Sequence, residues 1–280
     1  MNESRPGIKL ALVVGDLHCG SKHGLLHPGY FMDDGNEVRQ NEFQRWLWTQ
    51  WIAMNEWAAN VVGSDPFDLI ANGDLTEGEH HRTKELVDPD PACHPRIAFK
   101  CLEPLNNKAK ASGGDSMIVK GTPAHVGTRA EDGVASELDS IRDDNRSRHA
   151  FYRLPVTYHG CVCRFSHHIS ATVRAALEGT ALSIQLAEEQ LRAAKEGRPI
   201  PKVIGRAHRH AFGVFEDTNG LAFVTPAWQG MTAFVSKILP AAELTTVGAV
   251  LLDWRKSDYG GTPTVHRFLR TQPPLLEVMR

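Results

Sequence analysis

The stretch Val13-Val14-Gly15-Asp16-Leu17-His18 decides how this chain is organised. From Ile8 to Val14 apolar residues fall on both faces of an extended segment, the pattern of a strand inside a sheet that is covered on both sides. Gly15 marks its end, and Asp16 and His18, two residues apart, are released together into the loop beyond. A carboxylate and an imidazole at that spacing suit one divalent ion reached by both side chains. One pair decides little by itself. The same grammar of apolar strand, glycine and polar ligand returns further along the chain.

Residues 67–71 form a second expected strand, which delivers Asn72-Gly73-Asp74. Glycine allows a tight turn there and sets Asp74 beside Asp16 if the two strands are neighbours. A helix over 96–111 leads into a third strand, 117–120, ending in Gly121-Thr122-Pro123-Ala124-His125. Residues 154–158 and 161–166 read as a hairpin about His159-Gly160, and its second strand emits His167-His168. A long helix carrying Val173, Leu177, Ala181, Ile184 and Leu191 precedes a short strand, 201–205, which feeds Arg206-Ala207-His208-Arg209-His210. Further strands are expected at 213–216, 221–225, 246–254 and 263–268. Between the first two strands, residues 19–37 read as a loop. A helix over 41–60, capped by Asn41, then lines up Phe43, Leu47, Trp51, Met54 and Ala58. Its tryptophans read as packing rather than base-stacking residues.

Early strands alternate with helices and late strands follow one another. The expected fold is therefore α/β (α+β), a four-layer αββα sandwich of two mixed sheets flanked by helices, in a single domain over 1–280. A formal net charge of -2 supplies no global positive field to recruit nucleic acid, although a local groove could be basic. Residues 1–6 are polar and no long apolar run follows, so the chain reads as cytoplasmic with no membrane span. Five cysteines without framework spacing fit reduced thiols. Cys161 and Cys163 should share a strand face as small buried residues, and Cys19 alone lies near the site in sequence.

Five strand ends thus carry Asp16 with His18, Asp74, Thr122 to His125, His167 with His168, and His208 with His210. One carboxylate can bridge two cations while imidazoles and a second carboxylate fill the outer positions. A pair of ions roughly 3.5 to 4 Å apart can hold a hydroxide for in-line attack on phosphorus. Such a site is most naturally hydrolytic.

The order DxH, GD, a GNH-like element, a lone His and GxxHxH resembles the calcineurin-like metallophosphoesterase superfamily over about residues 8–230. The resemblance implies hydrolysis of phosphomonoesters or phosphodiesters at a two-metal centre. It puts Asp16, His18 and His210 on the first metal, Asp74 between the two, and His167 and His208 on the second, with His168 as the alternative to His167. The third block departs from the family pattern. Where the family has Gly-Asn-His followed by an acid, this chain has Gly121-Thr122-Pro123-Ala124-His125, and Thr122 offers only a weakly coordinating hydroxyl. His125 is taken as the displaced proton donor to the leaving group, with a metal-ligand role and a structural one left open.

Thr122, His81, Arg206 and Arg209 are candidate substrate contacts. Glu77, His80 and Arg82 could meet substrate oxygens from the same loop as His81. His23 and His27 could overhang a pocket, and Trp228 could line one or pack. Manganese, iron and zinc all suit these mixed nitrogen and oxygen donors. A phosphodiester is preferred because a histidine acid suits an alkoxide leaving group. Nucleic acid is admitted as a substrate, with a nuclease the leading specific version. The rival class is a non-catalytic scaffold or binding protein that keeps this fold.

Overall fold

The computed structural model describes residues 3–78, 85–126, 129–143, 148–169, 178–232 and 246–273. Its strands are β1 (Glu3–Ser4), β2 (Leu10–Val14), β3 (Tyr30–Phe31), β4 (Glu37–Val38), β5 (Asp68–Asn72), β6 (Ser116–Val119) and β7 (Ala150–Phe151), followed by β8 (Leu154–Tyr158), β9 (Cys161–Phe165), β10 (Val203–Arg206), β11 (Gly213–Asp217), β12 (Gly220–Val224), β13 (Thr246–Asp253) and β14 (Thr264–Thr271). The helices are α1 (Glu42–Val62), α2 (His94–Ala111), α3 (Pro123–Val126), α4 (Ala130–Glu137) and α5 (Glu178–Lys195).

Two six-stranded sheets form, ordered β14-β13-β2-β5-β6-β7 and β1-β8-β9-β10-β12-β11. Both are mixed. β2, β5, β6 and β7 run parallel while β13 opposes β2. β9, β10 and β12 run parallel, as do β1 and β8, while β8 opposes β9 and β11 opposes β12. β2 is buried on both faces: Leu10, Leu12 and Val14 pack toward α1 and α2, whereas Ala11 and Val13 meet the residues of the second sheet. α5 covers the outer face of that sheet through Leu182 and Leu186, packed with Ile204 and Ala222. The layers are therefore helix, sheet, sheet, helix, the expected αββα sandwich.

Local chemistry accounts for several boundaries. Asn41 caps α1, accepting from the Gln44 backbone N–H at 2.8 Å, while the Gln44 side chain accepts from Asn41 N–H at 3.2 Å. α1 runs to Val62, two residues past the expected end. The loop expected over 19–37 holds β3, and its end pairs as β4 with β3. β7 and α4 had no expected counterparts. The start of the long helix expected from Val173 falls at 170–177, outside the described residues, and the rest of it is α5.

At the end of the sheets away from the polar strand tips, Arg5 reaches both oxygens of Asp68 at 2.8 Å and Asp115 Oδ2 at 2.8 Å. The Tyr158 hydroxyl, on the second sheet, donates to Asp68 Oδ2 at 2.9 Å. This buried network ties one sheet to the other. Among the described residues no helix is long and apolar enough to cross a membrane.

Candidate metal centre

Because β2, β5, β6, β9 and β10 are linked by parallel pairings within their own sheets, their carboxyl ends release loops along one edge of the sandwich. Backbone bonds then lock those loops together. Asp16 N–H donates to Gly73 O at 2.9 Å, His18 N–H to Asp74 O at 2.9 Å, and Ala207 N–H to His167 O at 2.9 Å. Among the described residues seven non-glycine residues hold a positive φ, and five of them are Asp16, His18, Asp74, His208 and His210. Such backbone costs of order 1 kcal/mol per residue and concentrates where side chains must be aimed. Two glycines permit the crowding. A Cβ on Gly73 would stand 2.5 Å from His167 Nδ1, and one on Gly121 would stand 2.1 Å from Asp74 Oδ1.

Six of the expected ligands converge in two groups of three. Asp16, His18 and His210 bring donor atoms within 4.8 Å of one another, and so do Asp74, His167 and His208. Asp74 Oδ2 is the hub between them, lying 2.9 Å from His167 Nε2, 3.9 Å from His208 Nδ1 and 4.0 Å from His18 Nε2. Asp16 Oδ1 lies 3.5 Å from His210 Nε2 and 3.9 Å from His18 Nε2. Asp16 Oδ2 is pinned by the His208 backbone N–H at 3.1 Å, which fixes the direction of its other oxygen.

The ring nitrogens that face outward are already committed. His18 Nδ1 donates to Glu77 Oε2 at 2.7 Å and His167 Nδ1 donates to the Asn72 carbonyl at 2.8 Å. That leaves Nε2 of each ring for the centre, the arrangement by which a second contact sets the ligating nitrogen of a histidine. Asp16 Oδ1 is buried with no hydrogen bond of good geometry and stands 3.8 Å from His167 Nε2, itself buried and 2.9 Å from Asp74 Oδ2. Carboxylate oxygens and imidazole nitrogens aimed at one small buried volume are a donor set that fits a divalent cation.

Electrostatics agree. Burial by itself would raise Asp16 and Asp74, but His167 foremost among their neighbours outweighs it and holds both carboxylates below their ordinary range. Burial would lower His167, yet Asp74 and Asp16 lift it to about 10. His18 is raised against burial chiefly by Glu77.

The remaining expected residues separate. His168 is exposed, its ring 5.3 Å from His167 and 5.1 Å from His208, outside both groups. Thr122 is turned inward on Asp74: its N–H donates to Oδ1 at 2.5 Å and its hydroxyl to Oδ2 at 3.1 Å. His125 lies edge-on to His18 with ring centres 4.7 Å apart, and its Nδ1–H donates to the Glu77 carbonyl at 3.2 Å. His18, Glu77 and His125 also bring donor atoms within 4.8 Å of one another. Arg206 is a correction to the phosphate-contact expectation. Its guanidinium is buried and spent on Gln185 at 2.8 Å, the Gly205 carbonyl at 3.2 Å and Glu189 at 3.4 Å, because α5 packs over that strand end. Arg209 is half-buried in the loop between His208 and His210. His81, with His80 and Arg82, lies outside the described residues.

Trp228 packs edge-on against Trp51, ring centres 4.8 Å apart, rather than lining a pocket. His23 pairs with Glu85 at 3.3 Å and His27 packs on Trp48, so neither is directed at the centre. The five cysteines are buried and unbonded to one another, and Cys19 joins the core under the helices.

Three supporting residues were not recognised in the sequence. Glu77, expected to face substrate, is buried and holds His18, while Gln229 Nε2 donates to its Oε2 at 2.8 Å. Glu131, in the first turn of α4, accepts from Leu75 N–H at 3.1 Å and Gly121 N–H at 2.7 Å, and so clamps the Asp74 loop to the Thr122 loop. Burial and then the charge of Asp74 push its carboxyl up to about 8. Three residues from Asp74, Glu77 had a sequence signal in its spacing. Glu131 had none.

No protein-family model matches the sequence, and no curated protein does. Among solved structures, wild-type Vps29 complexed with Zn2+ from Entamoeba histolytica aligns with a TM-score of 0.42 at 10% identity, over 93% of this chain and 98% of that one. A novel archaeal phosphodiesterase aligns at 0.45 and 13% identity, over 93% and 99%. A conserved protein from Streptococcus pneumoniae, described as a predicted phosphoesterase, aligns at 0.34 and 12% identity, over 94% and 98%.

Proposed function

We propose that the chain is a metal-dependent phosphoesterase acting by preference on phosphodiesters. The observation that carries this reading is the position of Asp74 Oδ2, within 4.0 Å of imidazole nitrogens from three separate strand ends. In this reading Asp16, His18 and His210 would hold one divalent ion and His167 and His208 another, with Asp74 shared between the two groups. Ions held there would lower the pKa of water and offset the charge developing on the phosphoryl oxygens. Glu77 and the Asn72 carbonyl keep Nε2 of His18 and His167 aimed inward, and Thr122 holds Asp74 in its bridging orientation. With its Nδ1 engaged by Glu77 O, His125 can release a proton only from Nε2, and it serves as acid to the departing alkoxide. Manganese is the first metal to try, and a nucleic acid strand is one substrate of the preferred class.

Hydrolysis of bis(p-nitrophenyl) phosphate by the manganese-loaded protein tests the reading. Turnover that Asp74→Asn abolishes supports it. Stoichiometric metal without turnover of any phosphoester would refute it in favour of a binding protein on the same fold.

A further inference from the structure

A cavity of about 330 Å³ opens beside the second donor group, with His167 and His168 in its wall. That volume is at the small end of ligand pockets. Four cationic side chains, Lys120, Arg153, Arg192 and Arg206, line it against two glutamates, Glu188 and Glu189. Two of the cations are spent within the protein: Lys120 pairs with Asp132, and Arg206 with Glu189. Glu189 is further neutralised by Arg164 at 3.8 Å. The guanidinium groups of Arg153 and Arg192 are exposed and make no hydrogen bond or ion pair among the described residues. Like charges gathered beside a cavity, two of them without a counter-ion among the described residues, repel each other until an anion arrives, and the guanidinium fork matches phosphate.

We propose that this cavity takes a second phosphate of the substrate on Arg153, borne by the part of the molecule that extends past His168 from the scissile phosphorus. The proposal rests on the phosphoesterase reading and deepens it, since it asks for a substrate with successive phosphates. A nucleic acid strand and a small phosphorylated dinucleotide share that chemistry.

Steady-state kinetics with manganese compare the dithymidine monophosphate TpT with its 5′-phosphorylated form pTpT. The ratio of their kcat/KM values favours pTpT, falls by at least about tenfold in Arg153→Glu through KM, and recovers in part in Arg153→Lys. Calorimetric binding of thymidine 3′,5′-bisphosphate to the metal-free protein weakens by a similar factor in Arg153→Glu. A further fall of KM on longer oligothymidylates identifies a strand as the substrate, and an unchanged KM identifies the dinucleotide. Turnover of bis(p-nitrophenyl) phosphate with no preference for pTpT, or a preference indifferent to Arg153, overturns the proposal alone. No turnover of any ester overturns the phosphoesterase reading and the proposal with it.

Discussion

Loading the centre with metal should expel protons, and the count can be worked from the site. His167 is lifted to about 10 by Asp74 and Asp16 against its burial, so at pH 7 its Nε2 carries a proton that must leave before the nitrogen can ligate. Three pH units of competition weaken the apparent affinity about 1000-fold, or ~4 kcal/mol. Raising the pH from 6.5 to 8.5 should therefore tighten manganese binding roughly 100-fold for this one proton. His18 is raised as well and adds to the slope. In the metal-free protein the same proton stabilises the fold. Its contribution is complete below about pH 6.5, the unfolded value, and is lost as pH rises through about 10. Metal affinity and metal-free stability should move in opposite directions as the solution turns alkaline. Isothermal titration in buffers of different ionisation enthalpy counts the protons directly, with one fewer expected for His167→Gln. Proton release near zero together with a pH-independent affinity would refute the reasoning.

Two further perturbations separate the site from the scaffold. Glu77→Gln keeps the size of the side chain but removes the charge that holds His18 Nδ1 at 2.7 Å, and should weaken metal binding 10- to 100-fold in calorimetry with little change in unfolding midpoint. Asp68→Ala strands Arg5 and Tyr158 at the opposite end of the sheets, and should cost roughly 3 kcal/mol in urea unfolding while leaving metal affinity within about twofold.

The strand tips were legible because apolar runs, glycines and chelating side chains are written consecutively. Asp16, Asp74, His167 and His210 each follow a strand that had to be buried, and sheet register then brings them together. Of the adjacent pair, the His167 ring is buried and the His168 ring exposed. What escaped depends on elements meeting across the fold. Glu77 reads as a substrate contact because its spacing from Asp74 puts it near the site but does not reveal that Gln229 and His18 close over it. Arg206 looked available because the Glu189 that occupies it comes from α5. Glu131 sits in a helix too short to leave a clear apolar period.

The left-handed backbone at Asp16, His18, Asp74, His208 and His210 limits which sequences can occupy this cage, apart from any demand of chemistry. Asparagine, aspartate, histidine and glycine tolerate that conformation, whereas β-branched residues do not. Exchanging Asp16 for asparagine therefore alters charge and one acceptor atom but not the backbone, while exchanging it for valine or isoleucine also disturbs the chain's path. Variants at these five places divide into those that remove a donor atom and those that also bend the backbone that aims it.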